Sequence, residues 1–440
     1  MAYTAVTLGQ LKQELAIRLY DINNVFWTSA ELTQRIQDAL RFWNLVTAQN
    51  LQWYQLPVSN TGSAPWYDLQ TIVTVPPSPR LCALTDQDVY SRMQYFLLET
   101  QAAHAGVLTG QFTPNTLVQS AQTTRDDFLF RTSCTRTVRS VTPTPNVANV
   151  PLPETVIQVE RAYYLPTAGG NPYPLARSDQ FARAAYYQFA GSTPGNPLVY
   201  NEGLTSPLNI ELAPPPSLPS ALECLTIESQ AILTASTPTL LYLPNDCIGG
   251  IAWGACGEVL DSNSEAKDAS RAAYAKMRYA QFCELLQIYP LIVGARVNGI
   301  DVMVESVEAL DIYNPPWRTP VAQQNLVAFA GQNLICFPTT TTQNLTLLIN
   351  GNAAIPVADG DAVQLGREII DAVLDLAQHE ASFKQGGTDL SSTMPLMKNF
   401  LEVASQKNGK IRSLALYRDF MYPQNVMEKL INPPEVVEAQ

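Results

Sequence analysis

Thr7-Leu8-Gly9-Gln10-Leu11-Lys12-Gln13-Glu14-Leu15-Ala16-Ile17-Arg18-Leu19-Tyr20, the turn Asp21-Ile22-Asn23-Asn24, and the run from Thr28-Ser29-Ala30-Glu31-Leu32 to Val46 spell two amphipathic helices. In the first, Leu8, Leu11, Leu15, Ile17 and Leu19 supply the apolar positions, and Thr7 stands where an N-cap belongs. In the second, Leu32, Ile36, Ala39, Leu40, Trp43 and Val46 recur at helical spacing after a cap at Thr28 or Ser29. The polar turn is short, so the pair is expected to fold back as an antiparallel hairpin, with Trp27 stapling its corner.

Working outward, this motif returns. From Leu51 to Cys82 aromatic and β-branched residues predict a small sheet or ordered loop. A second helical pair starts near Thr85 and resumes at Pro114, a residue suited to a helix's first turn. Short apolar runs between Thr132 and Pro244 read as strands, interrupted by a predicted helix over Leu175 to Phe189. Asp246 to Leu260 and Ala266 to Gln287 predict a third pair. Strands follow near Ile300 to Val307, Leu334 to Phe337 and Leu345 to Ile349, and a fourth pair spans Leu365 to Phe383 and Met394 to Lys407.

The expected fold is therefore α+β, with antiparallel helical pairs forming a body and β-rich inserts between them. It divides into N-terminal helical pairs with a small β insert over 1–135 and a β-rich insert over 136–245. A central helical pair over 246–290, a second β-containing insert over 291–360, a C-terminal pair over 361–410 and a tail over 411–440 complete it. Residues 185–191 and 326–331 each precede a strand and a helical pair, which reads as a weak internal repeat or as coincidental apolar patterning.

Composition narrows the function. Of 440 residues 46% are hydrophobic, enough for a large core, but only 15% are charged, below the roughly 25% of soluble domains. Neutral polar surface suits a subunit that lives against other subunits, because an amide is cheaper to desolvate than an unpaired charge. The formal charge of −12, without a run of Lys or Arg longer than two, offers no cation cluster for gripping phosphates. The seven cysteines are scattered, none in C-x-x-C spacing, and are expected to be reduced and buried. No signal peptide and no transmembrane helix is expected, so Asn344-Leu345-Thr346 carries no glycosylation reading.

Chemistry-bearing patterns are sparse. His104 and His379 stand far from the cysteines, and His379 reads as solvent-facing or as an interface residue. No G-x-S-x-G elbow is present, and Gly249-Gly250, Gly254-x-x-Gly257 and Gly386-Gly387 do not continue into phosphate-binding motifs. The first four read as close helix packing, and the last two, between two helices, as either a position with φ > 0 or a flexible turn. Asp126-Asp127 reads as solvated surface, and Asp359-Gly360-Asp361 lacks the full pattern of a calcium loop. No catalytic residue, metal ligand or cofactor is expected. Trp253 reads as core. Tyr417, Phe420 and Tyr422, in the C-terminal tail, are the candidate partner interface, with local packing as the alternative.

Several blocks together carry a resemblance. Leu8-Gly9-Gln10-Leu11 with Leu15-Ala16-x-Arg18-Leu19, Asn24-Val25-Phe26-Trp27-Thr28-x-x-Glu31-Leu32, and Ile36-x-x-Ala39-Leu40-Arg41-x-Trp43 form the first. Leu84-Thr85-Asp86-x-Asp88-Val89-Tyr90 with Gln94-Tyr95-x-Leu97-Leu98-Glu99 is the second. Asp371-x-Val373-Leu374-Asp375-x-Ala377-x-His379, Ala381 to Gly387, Met394-Pro395-Leu396 and Asn399-Phe400-Leu401 are the last. This sequence resembles the head-to-tail adaptor (connector) proteins of tailed bacteriophages over about a third of its length; its long β-containing middle goes beyond the compact helical adaptors.

The resemblance implies a virion structural protein and not an enzyme, made in the host cytoplasm and incorporated at the head-tail junction. It implies a ring, commonly of about twelve copies, beneath the portal protein, continuing the DNA channel to the tail. Genomic DNA would pass through without specific binding, tail or nozzle proteins and fibres would be the other partners, and no membrane is involved. A tail-completion or neck protein further from the portal is the alternative. Outside that class stand a wall-degrading hydrolase and a soluble host-directed factor.

Overall fold

The computed structural model describes residues 5–58, 66–69, 82–98, 112–166, 172–179, 193–203, 208–262, 267–288, 292–414 and 417. The fold is mixed α+β. Its helices are α1 (Leu8–Arg18), α2 (Ser29–Thr47), α3 (Asp86–Leu97), α4 (Pro114–Thr132), α5 (Ile248–Asp261), α6 (Ala269–Ile288), α7 (Val307–Tyr313), α8 (Arg367–Ser382), α9 (Gly387–Ser392) and α10 (Met394–Lys407).

Local chemistry sets the helix ends. Thr7 and Gln10 close a capping box, with the Thr7 amide donating to Gln10 Oε1 at 2.9 Å. Thr28 Oγ1 accepts the Glu31 amide at 3.2 Å, and Thr113 caps α4 ahead of Pro114. All these helices except α7 contribute to one apolar cluster, although hundreds of residues separate the first from the last. At its centre the Trp253 ring lies 4.1 Å from Phe96, 4.9 Å from Phe383 and 5.6 Å from Tyr274. The glycines of α5 let α4 and α6 approach: a Cβ on Gly254 would stand 2.5 Å from Thr124 Cγ2 and 2.8 Å from Tyr279 Cδ2. Close packing is thus their role. All seven cysteines are buried and free.

Strand β1 (Val6–Thr7) pairs with β17 (Ala362–Val363), and two four-stranded sheets, β5-β10-β9-β8 and β4-β11-β6-β7, share a core. Their strands are β4 (Thr137–Val141), β5 (Asn149–Pro151), β6 (Val156–Pro166), β7 (Tyr173–Pro174), β8 (Ala176–Arg177), β9 (Val199–Glu202), β10 (Asn209–Ala213) and β11 (Ser220–Glu228). The helix expected over Leu175 to Phe189 is not present at its start. There the Leu175 amide donates to Ala162 O and the Ala176 amide to Leu198 O, so the sheet has taken the backbone donors, and residues 180–192 lie outside the described residues.

A seven-stranded sheet follows the order β2-β16-β12-β13-β14-β15-β3, antiparallel except for β13 with β14. Its members are β2 (Leu51–Val58), β3 (Trp66–Asp68), β12 (Ile292–Val297), β13 (Ile300–Ser306), β14 (Leu326–Ala330), β15 (Leu334–Cys336) and β16 (Gln343–Asn350). The small sheet expected over Leu51 to Cys82 is therefore not a unit of its own: β2 pairs with β16 and β3 with β15. Two short strands cannot bury a core alone, and Tyr54, Leu56 and Val58 find theirs against Leu345, Leu347 and Ile349. One end of the expected strand Ile300 to Val307 is helical, because Ser306 Oγ accepts the Ala309 amide and starts α7. The earlier member of the suggested repeat, 185–191, lies outside the described residues, and the later one is β14.

Candidate functional site

The residues singled out from the sequence are not gathered into one site. Tyr417 is half-buried against the helical core, while Phe420 and Tyr422, like His104, lie outside the described residues. His379 is not solvent-facing: it is 0% exposed in the middle of the helical body. The Thr393 hydroxyl donates to Leu390 O, so it accepts from His379 Nδ1–H at 2.9 Å, leaving Nε2 to accept the Tyr274 O–H at 2.6 Å. Burial, with the nearby Arg278 charge, pushes the imidazole pKa down to about 3, so the ring is neutral and fully engaged.

Asp126 and Asp127 are only partly exposed. Asp126 accepts from Gln122 and Ser229, and Asp127 from Tyr279 Oη at 2.7 Å. In the 359–361 turn, the Asp361 carboxylate accepts the amides of Val357 and Ala358 at 2.7 and 2.8 Å, and Asp359 pairs with Lys12. This turn docks on α1, since the Leu8 and Gly9 amides donate to the Asp361 and Asp359 carbonyls. Gly386 has φ +111°, as expected of a turn glycine. Among the described residues no three His, Cys, Asp or Glu are placed to hold a metal ion, and no helix is long and apolar enough to cross a membrane.

A second group of polar residues is enclosed between α2, α3, α6 and α8. Asp38 accepts from Arg92 Nη2 at 2.6 Å and Arg41 Nη1 at 3.0 Å, and Glu380 accepts from Arg278 Nη2 at 2.9 Å. Burial opposes ionisation of Asp38, but the Arg92 and Arg41 charges outweigh it and hold its carboxyl below the ordinary range. Asp246 joins this interior to the segment that follows β16, accepting from Asn44 Nδ2 at 2.7 Å and from the Ala353 amide at 3.0 Å. Burial lifts its pKa to about 7, against the bond from Asn44 and the Arg41 charge. These groups hold elements together.

The surface offers something different at the two ends of α2. At its N-terminal end the α1–α2 corner presents Tyr20, Ile22 and Val25 at 97%, 71% and 83% exposure, with Ile17 and Phe26 beside them. These apolar residues are near neighbours in the chain and all stand in solvent. The corner is held in shape: the Asp21 carboxylate accepts the amides of Val25, Phe26 and Trp27 at 2.9, 2.8 and 2.8 Å. Those bonds, chiefly that from Trp27, keep its carboxyl pKa below the usual value. Tyr20 and Asn24 both adopt positive φ, which a bulky side chain such as Tyr20 rarely does without such support. Trp27 itself is buried and donates from Nε1 to Ala381 O at 3.3 Å, so it fastens the corner to α8.

At the C-terminal end of α2, Leu45 and Val46 line a groove of about 240 Å³ with Leu51, Val293, Ile411 and Leu414, rimmed by Lys407 and Lys410. Asn408 fixes this side by donating to Val46 O at 2.9 Å. The sequence predicted a turn at the corner but gave no sign that its apolar side chains stay uncovered. The one available signal was Ile22 and Val25 set among Asp and Asn, outside the helical stripe. Compared with known proteins, the chain matches no family model and no curated protein.

Proposed function

We propose that this chain is a virion structural protein, a head-to-tail adaptor whose copies form a ring under the portal and carry the DNA channel on to the tail. The observation that carries this reading is how the blocks of the resemblance come together. Arg18 in the first block pairs with Asp371 and Asp375 in the last at 3.2 and 2.7 Å. Lys384 reaches back to Glu31 at 2.9 Å and to Phe26 O at 2.7 Å. Stretches more than 300 residues apart thus make one helical body, as expected if they are parts of one unit interrupted by inserts. The helical pairs form the ring body in this reading, and the β-rich inserts face tail or fibre proteins.

Low charge density and the uncovered corner support a subunit that completes its surface only in an assembly. The net charge of −12 favours DNA sliding past without adhesion. The test is mass spectrometry of purified particles alongside tailless heads. The reading expects the chain in complete particles in a fixed ratio to the portal protein. A chain found only in the soluble fraction of infected cells would contradict it and reopen the search for an activity.

A further inference from the structure

We propose that the apolar corner between α1 and α2 of one copy seats in the groove at the far end of α2 in the next copy. This joint rests on the ring reading above and names its contact.

Position argues for it first. The 19 residues of α2, at 1.5 Å each, set corner and groove about 28 Å apart. Two complementary patches at opposite ends of a subunit make a head-to-tail contact, the kind that closes into a ring when the rotation between copies allows it. The same helical layer carries both: Trp27 fastens the corner to the C-terminal end of α8, and Lys407 beside the groove approaches Glu368 at the N-terminal end of α8.

Chemistry argues for it next. The turn Asp21 to Phe26 carries a single charge of its own, the Asp21 carboxylate, which accepts three amide bonds, while the Lys384 ammonium beside Phe26 is already paired with Glu31. The groove's rim carries the opposite sign in Lys407 and Lys410, and its walls are aliphatic, matching Ile22 and Val25. Because the corner is already fixed by Asp21, little ordering is lost on docking. Sign complementarity across the joint also disfavours corner-to-corner pairing, which would bring two Asp21 carboxylates together.

The test uses two variants of the full chain, I22D/V25D at the corner and V293D/K410E at the groove, with sedimentation as readout. Each alone should lose self-association by at least about tenfold while keeping the wild-type unfolding midpoint. Mixed, they should form a dimer and nothing larger, since the first keeps its groove and the second its corner. Should V293D/K410E fail to fold, K410E alone, at an exposed position, takes its place with the same expectation. Assembly that persists in both variants, a mixture that stays monomeric, or a wild-type chain monomeric at every concentration overturns the joint. If averaged particles still show a ring in those cases, the ring reading survives without this contact; if the chain is absent from particles, both fall.

Discussion

The middle of α2 and its N-terminal corner invert the usual distribution of polarity. Arg35, Asp38 and Arg41 are enclosed in the helical body, while Ile22 and Val25, a turn away from the helix start, stand in solvent. Asp38 is paired with Arg92 and Arg41, whereas Arg35 lies over the Phe96 ring at 4.0 Å with both Nη atoms buried and without a hydrogen-bond partner among the described residues. The exposed apolar groups are not covered by any of the described residues. Buried charge is expensive unless its partners are fixed, so it specifies how the helices sit; exposed apolar surface is inexpensive to carry only where something will cover it. The contrast separates what builds the helical body from what, under the proposed function, it would offer to other copies.

The largest effect should come from breaking the interior. Glu380→Ala leaves the Arg278 guanidinium, 0% exposed, without its carboxylate, and should cost about 3–5 kcal/mol in urea unfolding. A cost under about 1 kcal/mol would mean that the pair is not enclosed as described. Next, Gly254→Val forces a side chain between Thr124 and Tyr279 and should destabilise by about 2–3 kcal/mol through overpacking.

The third prediction concerns pH. With its folded pKa near 3 against 6.5 unfolded, His379 takes up a proton only on unfolding, so stability falls as pH drops from 6.5 toward 3. Asp246, lifted to about 7, acts oppositely: it adds stability as pH falls from about 7 toward 3.8. In the wild type these two contributions oppose each other. The difference between wild type and H379Q isolates the histidine and should shift by about 2 kcal/mol against wild type between pH 6.5 and about pH 5, at about 1.4 kcal/mol per unit. A pH-independent difference would sink the assignment.

How much of this was legible in the sequence follows the same division. Helices whose signals are local were readable: Met394 to Lys407 holds at both ends, and Thr7 and Thr28 cap where the spacing placed them. The packing role of the α5 glycines was readable too, because four small residues on one apolar helix have little other use. Strand partners were not. The alternation of Tyr54, Leu56 and Val58 marks a buried face, but nothing local says that β16, nearly 300 residues later, supplies it. His379 was misplaced although a signal existed: it lies three residues beyond Leu376 on the stripe that buries Ile369, Val373 and Leu376. The uncovered corner needed the structure, since exposure of Tyr20 and Val25 depends on where α8 ends.

The smallest effect on stability should come from the corner. Val25→Ser removes apolar surface that touches little in the chain, so the unfolding free energy should stay within about 0.5 kcal/mol of wild type. A loss of 2 kcal/mol or more, on the order of a buried side chain, would place the corner with the interior and dissolve the contrast.

The most direct measurement is averaged electron microscopy of the neck in purified particles. The account predicts a closed ring of this chain between portal and tail, with Tyr20, Ile22 and Val25 covered by a neighbouring copy. A neck without this chain would contradict the proposed function, and a ring that leaves this corner facing solvent would contradict the way its copies are joined.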